Sequence, residues 1–492
     1  MMHEPEKSDL PVVAVKPTNK LGRPRAEPVE PRERTEGNAG KPDMRRTPSR
    51  ESMPQGLDRV RQAAREGKKE RFTALLHHVT VDLLKDAYSW LKRDAAPGVD
   101  GLTWQAYGQD LEANVVALHE RVHRGGYRAL PSRRKFIAKP DGQQRPLGIA
   151  ALEDKIVQRA VVEVLNAVYE EDFLGFSYGF RPGRGQHDAL DALAVGIGRR
   201  KVNWILDADV AGFFDAVSHE WLVRFVEHHI GDERVIRLIR KWLQAGVMED
   251  GAVTPTVVGT PQGAVVSPLM ANIYLHYVFD LWADRWRHHP ARGQVIIVRY
   301  ADDIVVGFEH KAQAEQFLAD LRQRMEKFAL TLHPEKTRLI EFGRFAAPSR
   351  AKKGLGKPET FNFLGFTHIC GRSARGRFVL MRKSRRDRMR AKLRAIKEAL
   401  WRRMHLPIPQ LGKWLGQVVR GYFNYHAVPT NTESLAAFKH HVTDLWRRAL
   451  RRRSQKDRTT WERMTRLAAD YLPVARVLHP WPDARFDVKY PR

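Results

Sequence analysis

Short runs of β-branched residues in the second half of the chain predict paired strands. Residues 295–298 and 304–308 are two such runs, and the tetrapeptide Tyr-Ala-Asp-Asp lies between them at residues 300–303. β-branched residues favour strands, and a short break between two such runs predicts a tight hairpin turn. This segment therefore predicts a hairpin with two adjacent carboxylates at its tip.

A third carboxylate lies on an earlier predicted strand. Residues 204–210 form another strand-like run, which places Asp207 and Asp209 on one face because strand side chains repeat every second residue. Asp302 and Asp303 at a hairpin tip repel each other, and a hard divalent cation would turn that repulsion into a binding site. Asp207 or Asp209 could supply the third oxygen donor.

Helical spacing of apolar residues dominates the rest of the chain. Apolar positions recur every three or four residues at 156–168, 314–328, 389–400 and 435–446. This spacing gives a helix one apolar face. These helices and the short strands predict a chain of mixed α and β structure.

Composition and charge narrow the class of partner. The chain has 492 residues, enough for about three domains, and a formal net charge of +28. Such an excess of Lys and Arg is expected of a nucleic-acid-binding protein. No run approaches transmembrane length and no signal core is visible, so a cytoplasmic location without a membrane partner is expected. The single cysteine, Cys370, excludes intramolecular disulfides and any Cys-rich zinc site.

The carboxylate motifs resemble the palm of reverse transcriptases. Asp-Val-Ala-Gly-Phe-Phe-Asp at residues 209–215 followed by Tyr-Ala-Asp-Asp is the pattern of that family. The resemblance implies that Asp209, Asp302 and Asp303 are catalytic and hold two Mg²⁺ ions. Nucleotidyl transfer uses one metal to activate the primer 3′-hydroxyl and another to neutralise the leaving pyrophosphate.

Two further motifs resemble nucleotide-binding parts of group II intron reverse transcriptases. The predicted hairpin 137–149 resembles their fingers hairpin, which implies that Lys139 and Arg145 clamp the incoming triphosphate. Thr-Pro-Gln-Gly at 260–263 implies that Gln262 contacts the nucleotide and that Gly263 permits close backbone approach. Deoxynucleoside triphosphates are the implied substrates.

An aromatic pair is the candidate sugar gate. In this family the aromatic residue at the position of Phe214 excludes a ribose 2′-hydroxyl. If both residues lie on a strand, the side chains of Phe213 and Phe214 point to opposite faces of the sheet. One of them then belongs to the core and the other is the gate. The block Ser-Tyr-Gly-Phe-Arg-Pro at 177–182 also matches the family, and His187 after it is interpreted as a helix-start or packing residue.

The C-terminal part resembles the thumb, or maturase domain X, of group II intron proteins. The segment 419–426 carries three aromatic residues that either stack on bases or belong to the core. Arg451, Arg452 and Arg453 form a basic run, which is either a solvated face or a site for RNA phosphates; the resemblance favours RNA. The sequence 479–486 resembles the end of domain X, and no His-Asn-His endonuclease domain is expected after it.

The resemblance of these motifs implies an α+β fold class, a right-hand polymerase with fingers and palm, followed by an α-helical thumb or maturase domain X. Residues 1–55 are predicted to be a basic disordered segment, 56–205 the N-terminal extension and fingers, and 206–369 the palm. The reverse transcriptase domain overall is predicted at about 119–368. Residues 370–450 are the predicted helical thumb, and 451–492 the basic end of domain X. The implied function is intron-encoded copying of RNA into DNA, with binding of intron RNA to assist splicing and mobility. The implied partners are intron RNA, an RNA template and a DNA primer or target, with nucleoid association when DNA is bound. The alternatives are a stand-alone reverse transcriptase in defence or diversification and a splicing chaperone with a vestigial polymerase.

Overall fold

The structure is a computed structural model that describes residues 56–67, 71–138, 144–249, 252–254, 258–260, 263–289, 292–453 and 459–489. The expected disorder of residues 1–55 lies outside these ranges. The described chain mixes helices with three antiparallel-rich sheets, in agreement with a mixed α and β composition.

The N-terminal part is mainly helical. Its elements are α1 (Gly56–Glu66), α2 (Val81–Ser89), α3 (Trp104–Tyr107), α4 (Leu111–His123), β1 (Ser132–Ala138), β2 (Gln144–Ile149), α5 (Leu152–Tyr169) and α6 (Gln186–Arg199). Strands β1 and β2 pair as an antiparallel hairpin, as the sequence predicts. Helix α5 contains the apolar segment predicted at 156–168 and is buried on nearly all sides.

A four-stranded antiparallel sheet forms the centre. The next elements are β3 (Trp204–Asp209), α7 (Phe213–Ala216), α8 (His219–His229), α9 (Glu233–Gln244), β4 (Val247–Glu249), β5 (Ala252–Thr254), α10 (Ser267–Leu275), α11 (Leu281–His288), β6 (Val295–Tyr300), β7 (Asp303–Phe308), α12 (Lys311–Lys327), β8 (Arg338–Glu341) and α13 (Ala346–Lys352). A π-helical turn, His276–Asp280, joins α10 to α11. The central sheet has the order β6-β7-β3-β8, whereas β4 and β5 extend the β1–β2 hairpin.

Both faces of the central sheet are covered. Leu206 and Ala208 on β3 belong to a core shared with α12, whereas Ile205 belongs to a second core shared with α6. This alternation follows from the two-residue period of a strand and puts Asp207 and Asp209 on the face of Ile205. The carboxylates thus lie where that second core ends and solvent begins.

The C-terminal part combines a small sheet with a helical bundle. Its elements are β9 (Phe361–Phe363), β10 (Phe366–Arg372), β11 (Phe378–Ser384), α14 (Arg386–Arg402), α15 (Ile408–His426), α16 (Thr432–Arg451), α17 (Trp461–Tyr471) and α18 (Pro482–Lys489). Leu400, Leu415, Phe438 and Trp446 contribute to a separate core of these helices. The helices predicted at 389–400 and 435–446 are therefore confirmed.

Strands β9 and β10 are joined by a tight turn, in which Leu364 and Gly365 adopt positive φ angles of 45° and 80°. The expected division points 205/206, 369/370 and 450/451 fall inside β3, β10 and α16. They were placed by motif rather than by element ends, and the division itself stays a prediction. Within the described residues, none of the helices has the length and apolar composition that a bilayer-spanning segment needs.

Candidate active site

Three of the predicted carboxylates meet at one end of the central sheet. Asp209 is the register partner of Asp303 in the antiparallel β3–β7 pair, and Tyr300 is the partner of Asp303 across the β6–β7 hairpin. Ala301 and Asp302 therefore form a two-residue turn, as predicted, with Ala301 at a φ of 56°. Directly opposed strand residues have Cβ atoms about 5 Å apart, so Asp209 and Asp303 are close enough to interact strongly.

The electrostatics of this cluster favour a bound cation. Desolvation by surrounding protein atoms, followed by repulsion from Asp302, Asp209 and Asp207, raises the pKa of Asp303 to about 7. The Asp303 side chain nevertheless reaches solvent at the end of its strand. Burial also raises the pKa of Asp207 to about 6, and the Arg338 guanidinium opposes this rise. Because burial and neighbouring carboxylates both disfavour ionisation here, a bound divalent cation would stabilise the ionised carboxylates.

The side chains do not form a complete metal cage by themselves. In the described ranges, no group of three His, Cys, Asp or Glu side chains has the geometry to hold a metal ion alone. The Nζ atom of Lys336 lies 3.4 Å from Asp209 Oδ2. Mg²⁺ usually takes one or two carboxylates together with waters and substrate phosphates. The oxygen donors present fit such a shared site.

The Ser-Tyr-Gly-Phe-Arg-Pro block packs directly on the turn. A Cβ atom added at Gly179 would lie 2.2 Å from the backbone N of Ala301, so only glycine permits this approach. Phe180 has a φ of 59° and its ring centroid lies 6.5 Å from that of Tyr300. The block therefore shapes the hairpin that carries Asp302 and Asp303.

Sequence reasoning missed a buried ion pair behind the turn. Arg299 and Asp280 pair with side chains that are 0% exposed. The available signal was an arginine at the end of the otherwise apolar run 295–298. Lys and Arg are almost never fully buried unless they are paired, so such a residue requires a partner.

The aromatic pair does not lie on a strand, which corrects the prediction. Phe213 and Phe214 belong to the helical turn α7, which starts after Gly212 in the left-handed conformation with a φ of 54°. Phe213 is a core residue at 2% exposure, and Phe214 is half-buried with its carbonyl accepting from the N–H of Thr260 at 2.7 Å. The expectation that one of the two is core is thus confirmed, and Phe214 is the one that reaches solvent.

The nucleotide-binding candidates are partly described. Lys139 and Gln262 lie outside the described residues, as does the side chain of Arg145, whose backbone belongs to β2. Gly263 has a φ of 108°, and a Cβ atom there would lie 2.8 Å from the carbonyl oxygen of Gly148 on β2. Gly263 therefore lies directly against the β1–β2 hairpin.

The histidine and aromatic candidates are packing residues. His187 is near the start of α6 and stacks on His479 with ring centroids 4.0 Å apart. Tyr422 is buried and stacks on Phe438 at 3.7 Å, and Phe423 is 1% exposed. These aromatic residues belong to the core rather than to a base-stacking surface.

The three arginines of the basic run differ in environment. Arg451 and Arg452 are exposed, and the Arg452 guanidinium lies 5.1 Å from the ring centroid of Trp401. Arg453 is half-buried and donates to the carbonyl oxygen of Leu406 at 2.7 Å. Arg451 and Arg452 are thus the more exposed of the three.

Comparison with known proteins identifies the family. Residues 137–368 match the family described as reverse transcriptase (RNA-dependent DNA polymerase). The chain is 34% identical to protein YkfC of Escherichia coli over 276 residues, which are 49% of this chain and 72% of that protein. It is 34% identical to the group II intron-encoded protein LtrA of Lactococcus lactis over 242 residues, 48% of this chain and 40% of LtrA.

A third relative extends further along the chain. The putative COX1/OXI3 intron 1 protein of Saccharomyces cerevisiae is 24% identical over 424 residues, 72% of this chain and 50% of that protein. The matches thus span half or less of these two intron-encoded relatives. Because the motifs, the fold and these relatives agree, the chain belongs to the group II intron-encoded reverse transcriptases and maturases, a family of RNA-directed DNA polymerases.

Proposed function

We propose that this chain copies RNA into DNA at the site formed by Asp209, Asp302 and Asp303. The observation that carries the proposal is the register pairing of Asp209 with Asp303, which brings two distant motifs together. In this proposal residues 206–369 are the palm, 56–205 contain the fingers and 370–450 contain the thumb.

The three carboxylates would hold two Mg²⁺ ions together with nucleotide phosphates. When bound, these ions supply activation of the primer 3′-hydroxyl and neutralisation of charge on the leaving pyrophosphate. The protein's own contribution is positional: β3 and β7 set the separation of Asp209 and Asp303, and the turn sets that of Asp302. Lys336 reduces the negative charge at Asp209 through its contact at 3.4 Å.

The nucleotide is proposed to lie between the β1–β2 hairpin and α7. Lys139 and Arg145 would bind its triphosphate, because a point charge and a bidentate fork suit phosphate oxygens. Gln262 and Gly263 would contact the base-paired nucleotide, and Phe214 would contact its sugar. The contact of the Gly263 segment with β2 supports a common pocket for these groups.

The C-terminal helices are proposed to bind intron RNA and assist splicing. Their core is separate from the core around the carboxylates, and Arg451 and Arg452 are exposed beside it. The DNA primer or target would lie between this bundle and the β9–β10 hairpin. A stand-alone reverse transcriptase would share the polymerase site but would not stimulate splicing of a precursor RNA.

Two assays test these functions separately. Extension of a DNA primer on an RNA template, with deoxynucleotides and Mg²⁺, tests polymerisation; absence of template-dependent product would refute it. Splicing of a precursor RNA from the surrounding intron at near-physiological Mg²⁺ tests the maturase role. No stimulation over RNA alone, with extension intact, would favour the stand-alone enzyme.

A further inference from the structure

A bidentate ion pair lies directly behind the turn that carries the catalytic carboxylates. Arg299 Nε donates to Asp280 Oδ1 at 2.7 Å, and Arg299 Nη2 donates to Asp280 Oδ2 at 2.5 Å. Both side chains are 0% exposed. Such a pair fixes the plane of the guanidinium group, because Nε and Nη2, which lie on the same edge of the group, each bind one carboxylate oxygen.

The remaining guanidinium hydrogens join three other segments. Nη1 donates to the carbonyl oxygen of Ala301 at 3.0 Å and to Asn272 Oδ1 at 3.1 Å. Nη2 also donates to Ser177 Oγ at 2.7 Å. One buried cation therefore links the π-helical turn, α10, the Ser-Tyr-Gly-Phe block and the catalytic turn.

The catalytic turn is held from two sides. Ala301 adopts a left-handed conformation that a residue with a Cβ atom adopts only when its surroundings require it. Arg299 binds its carbonyl oxygen, while Gly179 packs against its backbone N. Asn272 connects the two contacts, since its Nδ2 donates to the carbonyl oxygen of Gly179 at 2.8 Å.

We propose that Arg299 is a positioning residue of the polymerase site. By holding the Ala301 carbonyl from an anchor on Asp280, it fixes the direction in which Asp302 and Asp303 leave the turn. It thereby sets the affinity of the carboxylates for divalent cations and the rate of nucleotide addition. This inference rests on the proposed function of Asp302 and Asp303.

Arg299→Lys tests the proposal, with Arg382→Lys as the matched control. Lysine keeps the charge beside Asp280 but lacks the fork that also reaches Ala301. Arg382 is likewise buried and pairs with Asp191 at 3.1 Å, with both side chains 2% exposed, but its partner is on α6. Each variant therefore disrupts the bonding of one buried arginine–aspartate ion pair.

The measurements are Mn²⁺ binding by calorimetry without nucleotide, primer–template binding, thermal melting and single-nucleotide addition. Both variants are expected to melt at lower temperature and to bind primer–template normally. Only Arg299→Lys is expected to weaken Mn²⁺ binding and to lower kcat by about 10- to 100-fold, as for groups that orient metal ligands. Its KM for nucleotide should change much less.

Two outcomes would decide against the proposal, and a second variant covers a failure to fold. If Arg299→Lys does not fold, Ser177→Ala takes its place, with a smaller loss of Mn²⁺ affinity expected in the same direction at near-normal melting temperature. Mn²⁺ binding and kcat equal to those of Arg382→Lys would overturn the positioning role. Asp303→Asn is the reference: if it also binds Mn²⁺ and extends primers normally, the carboxylate site itself is wrong, rather than the role of Arg299 alone.

Discussion

Asp303 lies directly opposite Asp209 across the β3–β7 strand pair, although the two residues are far apart along the chain. They belong to different sequence motifs, and the sheet register alone brings them together. Like charges directly opposite on a sheet are destabilising. This destabilising pair lies at the end of the sheet where the proposed catalysis needs opposed carboxylates.

The first prediction concerns pH. The pKa of Asp303 is raised to about 7 in the folded chain, so Asp303 holds its proton more tightly there than in the unfolded chain. Its contribution to stability is therefore greatest at low pH and is lost as the pH rises through about 7. Without divalent cations, the melting temperature of wild type relative to Asp303→Asn should fall between about pH 4, near the ordinary pKa of Asp, and about pH 7, and level off above.

Divalent cations should reverse this dependence. Because a metal ion competes with the proton, Mg²⁺ affinity should rise with pH over the same range and saturate above it. Calorimetric titrations at several pH values measure this directly. A flat Mg²⁺ affinity between pH 6 and pH 8 would show that Asp303 is not a ligand.

The second prediction concerns sugar selection. Phe214→Val should raise incorporation of ribonucleotides relative to deoxynucleotides, because it opens space next to the proposed sugar position. Phe213→Val is the matched control: it removes part of a core side chain, and a loss of about 1–3 kcal/mol in stability is expected without a change in selection. Competition assays with paired nucleotides measure the ratio. Unchanged discrimination in Phe214→Val would assign Phe214 to packing.

The third prediction concerns the triphosphate. Lys139→Gln and Arg145→Gln should raise the KM for nucleotide or lower the rate of the chemical step, because their charges would orient and stabilise phosphate oxygens. Lys135→Gln on β1 is the control, since Lys135 is an exposed cation of the same hairpin. Steady-state kinetics with saturating primer–template separate an effect on nucleotide binding or chemistry from an effect on template affinity. Loss of template affinity alone, with normal nucleotide kinetics, would contradict the assignment.

The fourth prediction separates the three arginines of the basic run. Replacing Arg451 and Arg452 with Gln should weaken intron RNA binding and reduce the slope of log affinity against log salt by roughly 0.7–0.9 for each RNA phosphate that is no longer neutralised. Arg453→Gln should mainly lower stability, because Arg453 holds the Leu406 carbonyl. Filter binding at several salt concentrations measures the slope. Equal effects of all three substitutions would indicate that the run acts only as diffuse charge.

Local pattern was enough to predict strands β3, β6 and β7, the turn at Ala301 and Asp302, and the helices α5, α12, α14 and α16, but it did not predict strand β8 or the long helix α15. The β6–β7 hairpin follows from two β-branched runs, and the helix α5 from a regular apolar spacing. The resemblance of the motifs to a known family supplied the candidate residues. Pattern and motif together therefore predict those parts of the candidate site that lie on regular elements.

Long-range contacts explain what the sequence could not reveal. The partner of Arg299 is Asp280 in a π-helical turn, and no local rule pairs those two positions. The left-handed conformation of Leu364 accompanies a hydrogen bond from the Tyr425 hydroxyl to its carbonyl oxygen at 2.8 Å, which depends on the placement of α15. The helical turn at Phe213 follows from Gly212, whose left-handed backbone ends the preceding strand geometry.

The central claim is that Asp209, Asp302 and Asp303 form the polymerase site. Asp303→Asn keeps the size of the side chain and removes its charge, and Glu309→Gln, just beyond the other end of β7, makes the same chemical change outside the cluster. The decisive measurement is single-nucleotide extension of a DNA primer on an RNA template with Mg²⁺, for enzyme that still binds primer–template normally. We predict that Asp303→Asn loses several orders of magnitude in rate, as loss of metal anchoring requires, and that Glu309→Gln extends at the wild-type rate. Near-normal extension by Asp303→Asn would contradict the account.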